Sequence, residues 1–246
     1  MSTRKSLLTI GLVLGCIANP VLADTSSLDE EEGKNGWYAT VSGGFVVGSD
    51  TDYELTTTDE DTNTNKNWTG GEDFDNSFSG ELGFGYDFGN IRTELTYGHN
   101  PMKSRDIYMA GTDDGRATVP YNVDLDISTL QIGAYYDIPI KSKKWTPYLG
   151  ASAGQAFVGV NSSTSTLLNT QYTLVDDTEN VFTYQLKAGV SYAIKNNLDV
   201  FFETSYRKID GFDINQSEND PDDSITPMTV DAFDDIVTRV GVRISL

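Results

Sequence analysis

Two-residue periodicity, sustained over segments of about eleven residues and punctuated by turn signals, constrains this chain more than any other feature. It is clearest from Ser77 to Phe88, where Phe78, Leu82, Phe84, Tyr86 and Phe88 fall on one face and Ser79, Glu81, Gly83, Gly85 and Asp87 on the other. Such a pattern fits a strand with one apolar and one polar face and no amphipathic helix. Gly89-Asn90 then supplies a tight turn. Ile91, Leu95 and Tyr97 alternate next with Arg92, Glu94 and Thr96, completing a hairpin.

The same alternation recurs along the chain. Phe182 to Ile194 alternates with Thr183, Gln185, Lys187, Gly189 and Ser191, turns at Lys195-Asn196-Asn197, and resumes with Leu198, Val200, Phe202 and Tyr206 against Asp199, Glu203 and Arg207. A last run places Ile236, Thr238, Val240, Val242, Ile244 and Leu246 opposite Arg239, Gly241, Arg243 and Ser245. Weaker strands cover residues 37–47, 125–138 and 146–160. In the second of these, Leu125 and Ile127 fall out of phase with Leu130, Ile132, Ala134, Tyr136 and Ile138, which predicts a bulge near Thr129. About eight strands result. Short connections alternate with long polar ones at about 48–76, 100–122, 161–180 and 210–232. All short turns then lie at one end and all long loops at the other, as an all-β, up-and-down antiparallel transmembrane β-barrel requires. A strand of about eleven residues tilted by about 45° spans roughly 25 Å, the height of such a barrel's apolar band.

The N-terminus says how the chain reaches a membrane. Arg4 and Lys5 precede an apolar stretch from Leu7 to Ile17, and Val21-Leu22-Ala23 precedes Asp24, which is the layout of a secretory signal peptide over residues 1–23. Acylation of Cys16, the only cysteine, is the competing reading of this segment. Residues 24–36, with Glu30-Glu31-Glu32-Gly33-Lys34, form a short periplasmic tail, and the barrel occupies 37–246. No later window reaches the ~20 apolar residues of a membrane-spanning helix. An even number of strands puts both ends of the barrel at the short-turn, periplasmic side of a bacterial outer membrane.

Charge narrows the function classes. Residues 1–23 hold two of the 17 basic residues and none of the 37 acidic ones, so the mature chain carries 15 positive and 37 negative charges, a net −22. Such a surface repels nucleic acid and attracts cations. The polar faces of the strands predict a lumen containing Glu81, Asp87, Arg92, Glu94, Lys187, Asp199, Glu203, Arg207, Arg239 and Arg243. An eight-stranded barrel is just wide enough for side chains to fill. Buried charges of both signs must pair or stay hydrated, so the set is read as a salt-bridged interior, with a narrow conduction path as the alternative. The long connections are acidic. In the first, Asp59, Asp61, Asn63 and Asn65 place oxygen ligands at every second residue, as calcium loops do, although Thr64 and Gly70 stand where the motif needs glycine and glutamate. No other cofactor is expected.

The opening Gly36-Trp37-Tyr38, the segment Trp145-Thr146-Pro147-Tyr148-Leu149-Gly150-Ala151 and the terminal alternating strand resemble the small outer-membrane barrels of the OmpA, OmpX and Opa type and related bacterial surface antigens, over essentially the whole mature chain. The resemblance implies contact with outer-membrane lipids and lipopolysaccharide, and insertion by the assembly machinery through the last strand. Here that strand ends in Leu246 where the family usually carries an aromatic residue. Some barrels of this size modify lipid A with a histidine and serine or acidic partners near the outer rim. The mature chain has one histidine, His99, with Ser104 its nearest serine in sequence. The expected function is a structural, adhesive or surface-recognition role carried by acidic loops that meet a surface ligand, with a cation-preferring porin second and a lipid A-modifying enzyme third.

Overall fold

The structure, a computed structural model, describes residues 35–59, 64–74, 77–111, 115–119, 124–161, 164–167, 170–174, 177–214, 216–218 and 228–246. Residues 1–34, read above as a signal peptide and most of a periplasmic tail, lie outside the described residues. Eight antiparallel strands form the wall: β1 (Gly36–Asp59), β2 (Ser77–Asp87), β3 (Ile91–Gly111), β4 (Asp124–Asp137), β5 (Trp145–Asn161), β6 (Asp177–Lys195), β7 (Leu198–Ile209) and β8 (Phe233–Ser245). Each pairs with the next, and β1 pairs with β8 from Tyr38↔Ser245 to Val47↔Ile236, which closes the sheet. Closure leaves no open edge in the wall, as the lipid interior demands. Among the described residues no helix is long and apolar enough to cross a membrane, a statement that does not bear on spanning by strands.

The period of two decides what faces outward. Val41, Leu82, Leu95, Ile132, Leu149, Leu186, Phe202 and Val240 are exposed on the outer face and form the lipid-facing band. Near the short turns the band ends in an aromatic girdle: Trp37 stacks on Phe84 at 5.1 Å and meets Tyr86 edge-on, Phe88 packs on Tyr86, and Trp145 packs on Tyr192 at 4.7 Å. Rings with a polar edge favour that interface. The first turn is set locally: Gly89 takes φ 106°, a region costly for a residue with a Cβ, and its amide donates to the Asp87 carboxylate at 2.8 Å.

Two sequence expectations change. β4 pairs with both neighbours in one continuous register, with no bulge at Thr129. Leu125 and Ile127 are buried inside the barrel in the same phase as Thr129 and Gln131. They had seemed out of phase only because apolar residues were assumed to face lipid. The segments expected as loops also contain much strand. β1 runs on to Asp59, and Thr64–Phe74 returns beside it and then pairs with the upper part of β3. Gly115–Val119 folds back on β3, Thr164–Leu167 pairs with Thr170–Leu174, and Phe212–Ile214 pairs with Met228–Val230. Above the membrane neither face meets lipid. A strand there has no apolar outer face for a sequence search to find.

Candidate functional site: the lumen and the outer rim

Inside the wall the polar faces converge in layers. Nearest the short turns, the Arg92 guanidinium donates to both Asp137 oxygens at 2.9 to 3.1 Å. Its face also lies 4.8 Å from the Tyr135 ring, 5.0 Å from Tyr148 and 5.8 Å from Tyr38. The fork thus has both a bidentate partner and an aromatic cage, an arrangement a lysine could not reproduce. Beside it Arg243 donates to Asp199 at 2.7 Å. The rings fit because small residues face them: a Cβ on Gly150 would stand 2.4 Å from Tyr135 Cδ1, and one on Gly189 would stand 2.4 Å from Tyr148 Cζ.

At mid-height Lys187 Nζ donates to Glu81 at 2.8 Å and to the Tyr135 hydroxyl at 3.1 Å, and lies 3.5 Å from Glu203. Arg239 approaches the same two carboxylates at 3.6 and 3.9 Å and donates to Ser205 and Ser79, while the Tyr148 hydroxyl donates to Glu203. Gln185 donates to the Gln131 carbonyl oxygen at 2.8 Å, and Ser152 donates to the same atom. Glu94 is buried here too and accepts a hydrogen bond from Thr40 at 3.3 Å. A cavity of about 20 Å³, room for about one water molecule, lies between these groups on the short-turn side.

Higher up, Arg207 pairs with Asp235 and donates to Asn100 Oδ1 at 2.9 Å, and Asn100 in turn donates to Ser77 and the Phe78 carbonyl. Above this layer Met102, Leu125, Ile127, Val158, Ile209, Phe212, Val230 and Phe233 bury one another in an apolar cluster across the outer mouth.

The sequence-predicted lumen set comes together in these layers with one exception. Glu81, Arg92, Glu94, Lys187, Asp199, Glu203, Arg207, Arg239 and Arg243 are all buried, whereas Asp87 is half-buried at the rim and holds the turn. Two partners were missed. Asp137 lies on the inward phase of the strand predicted at 125–138 but was left out of the set, and Asp235 stands one residue before the last predicted run, counted from Ile236, although it shares the phase of Arg239 and Arg243. The apolar cluster was missed because inward positions were expected to be polar. Of the calcium-loop residues, Asp61 and Asn63 lie outside the described residues; Asp59 ends β1 opposite Thr64, and Asn65 stands opposite Thr58. Among the described residues no group of three or more His, Cys, Asp or Glu side chains is placed to hold a metal ion.

His99 is exposed on the outer face near the rim. Its register partner is Ser128 of β4, whose Oγ lies 3.1 Å from Nδ1 and accepts a hydrogen bond from the Tyr97 hydroxyl at 3.3 Å. The serine beside His99 is therefore a cross-strand one, 29 residues away in sequence.

Comparison with known proteins places this architecture. The family model of the outer membrane protein β-barrel domain matches residues 10–242. Among solved structures, the outer membrane protease OmpT of Escherichia coli matches with a TM-score of 0.53 and 9% identity over 91% of this chain and all of that one. OprG of Pseudomonas aeruginosa matches with a TM-score of 0.50 and 14% identity over 87% and 98%. Neisserial surface protein A matches with 17% identity over 86% and 97% at a TM-score of 0.49. No curated protein matches the chain. At these identities the solved structures report the fold alone. The family match extends over nearly the whole sequence, and the chain belongs to the outer-membrane β-barrel family, as a closed eight-stranded barrel of the bacterial outer membrane.

Proposed function

We propose that this barrel conducts no solute and works as a rigid scaffold for the acidic β-hairpins it raises above the outer leaflet, whose role is structural or recognitive. The observation that carries this reading is the filled lumen. Buried ion pairs occupy three heights, with Lys187–Glu81 crossing the lumen and Arg92–Asp137 and Arg207–Asp235 joining neighbouring strands, and an apolar cluster lies over them at the outer mouth. A hydrated ion crossing it would have to break buried pairs and then pass a dry layer, each step costing several kcal/mol. The charge of the hairpin segments supports the recognition half: residues 48–76 hold Asp50, Asp52, Glu54, Asp59, Glu60, Asp61, Glu72, Asp73 and Asp75 against Lys66 alone. Such a surface favours cationic ligands and divalent-bridged contacts with lipopolysaccharide.

Planar-bilayer recording of the refolded protein tests the reading. Inserted protein, verified by heat-modifiable migration on unboiled gels, is expected to give no conductance steps. Reproducible cation-selective steps would overturn the scaffold reading in favour of a narrow porin, with the acidic hairpins as its vestibule.

A further inference from the structure

The exposed charge of the barrel is sorted by end. Near the outer rim Lys103 and Lys208 stand in register with Asp124 and Asp234. At the short-turn end the turn from β4 to β5 exposes Lys141, Lys143 and Lys144, and the turn from β6 to β7 exposes Lys195. The acidic side chains described at that end, Asp87, Asp137 and Asp199, are buried or half-buried and are held by the Gly89 amide, Arg92 and Arg243. In a chain whose net charge is −20, these four lysines form a patch of reversed sign.

Local structure sets the two turns side by side. The Ala193 amide donates to the Lys144 carbonyl at 2.8 Å, and Tyr192 stands opposite Trp145 in register with the rings 4.7 Å apart. The Ser142 hydroxyl accepts from the amides of Lys144 and Trp145 at 3.2 and 3.0 Å, which orders the first turn. The Lys144 ammonium lies 5.9 Å from the centre of the Tyr192 ring. Beside the lysines the surface is apolar, with Ile140, Trp145 and Ile194 exposed. An aromatic girdle sits at headgroup depth, and a lysine there lays its stem on the apolar surface and its ammonium among the lipid phosphates.

We infer that these two turns bind the phosphate of an anionic phospholipid in the inner leaflet, with Lys141, Lys143, Lys144 and Lys195 as the cations and the Trp145–Tyr192 pair as the apolar seat. Clustered basic residues at a membrane surface favour negatively charged lipid. A zwitterionic headgroup brings its own ammonium, which the lysines repel, so net charge decides the preference. The chain joins the wall at Gly36 on β1, four strands from β5 in either direction round the closed ring, which favours a lipid over the chain's own acidic residues 24–32 as the occupant. The site stands whether or not the lumen conducts.

Quenching by brominated phospholipids tests it, with the refolded protein in vesicles of phosphatidylcholine and phosphatidylglycerol and Trp145 left as the sole tryptophan by Trp37→Phe and Trp68→Phe. Phosphatidylglycerol is expected to occupy the surface around Trp145 about tenfold better than phosphatidylcholine, and about 1 M salt should remove the preference. Replacing the four lysines by glutamine should abolish it and replacing them by arginine should preserve it, the gel shift verifying that each variant folds. Equal occupancy by the two lipids overturns the proposal, as does a preference that survives in the glutamine variant. An equal preference around Trp37, read with Trp68→Phe and Trp145→Phe, also overturns it by making the attraction general. Inorganic phosphate should displace no more lipid than chloride does at equal ionic strength; selective displacement would give the patch to a free anion. A preference that appears only when residues 24–32 are deleted would give it to the chain's own acidic segment.

Discussion

Replacing Lys187 by methionine isolates the worth of one buried charge. The ammonium is buried at mid-lumen, 2.8 Å from Glu81, 3.5 Å from Glu203 and 3.1 Å from the Tyr135 hydroxyl. Methionine keeps most of the apolar stem, so the substitution removes charge and hydrogen bonds with little change in packing. Removing one partner of a buried ion pair costs about 3–5 kcal/mol, because the remaining charge stays buried without compensation. Two carboxylates are stranded here, which raises the cost. Arg239 stands 3.6 and 3.9 Å from them and recovers part of it. We expect a loss of about 4 kcal/mol, near a thousandfold in the folding equilibrium at about 1.4 kcal/mol per tenfold. Urea unfolding of the refolded protein in lipid vesicles, followed by Trp fluorescence and the gel shift, measures it. Adding Glu81→Gln to Lys187→Met should recover at least about 2 kcal/mol, since buried pairs replaced together are close to neutral. A loss below about 1 kcal/mol, or a double variant weaker than the sum of the singles, would refute the claim that this ion pair is dry and essential to the fold.

Further expectations follow from other layers. Gly150→Ala should destabilise the barrel by about 1–3 kcal/mol in the same urea assay, because the new Cβ meets the Tyr135 ring at 2.4 Å and that ring is wedged beside Arg92. Phe233→Ala should cost about 3–5 kcal/mol by opening the apolar cluster, while bilayer recordings stay silent because the charged layers below still fill the lumen. Arg92→Lys should lower stability by about 1–3 kcal/mol by losing both the fork on Asp137 and the tyrosine cage, and Arg92→Leu should cost more because it also strands Asp137. His99→Ala and Ser128→Ala should leave the lipid A acylation pattern of cells unchanged by mass spectrometry, in keeping with a surface hydrogen bond; an altered pattern would make the rim pair an enzyme's.

The wall was legible because lipid on one side and packed polar groups on the other impose opposite demands on alternate residues. Ser77 to Phe88 and Arg239 to Ser245 carry that contrast at nearly every position, and their inward charges Glu81, Arg239 and Arg243 are found buried. The contrast disappears in two places. Above the membrane no lipid imposes an apolar face, so a strand such as Thr64–Phe74 carries no alternation that tells it from a turn in sequence. At the outer mouth, Leu125, Ile127 and Phe233 are apolar yet point inward, and a rule that sends apolar residues to lipid must misplace them. Pairings such as Lys187 with Glu81, 106 residues apart, depend on which strands face each other across the lumen, and alternation carries no information on that. Asp137 was available from phase alone, and Asp235 from phase once the last strand is begun at Phe233.

The buried charges are also divided unevenly along the chain. Strands β1 to β4 bring Glu81, Glu94 and Asp137 with only Arg92, whereas β5 to β8 bring Lys187, Arg207, Arg239 and Arg243 with Asp199, Glu203 and Asp235. The first half of the sheet is therefore negative on its inner face and the second half positive. Neither half is fit for hydrocarbon alone. Contacts such as Arg239 to Ser79, 160 residues apart, form only when the first and last strands meet. Folding of such a chain should be slow and all-or-none, with the two half-sheets drawn together by their opposite charge before either commits to the bilayer.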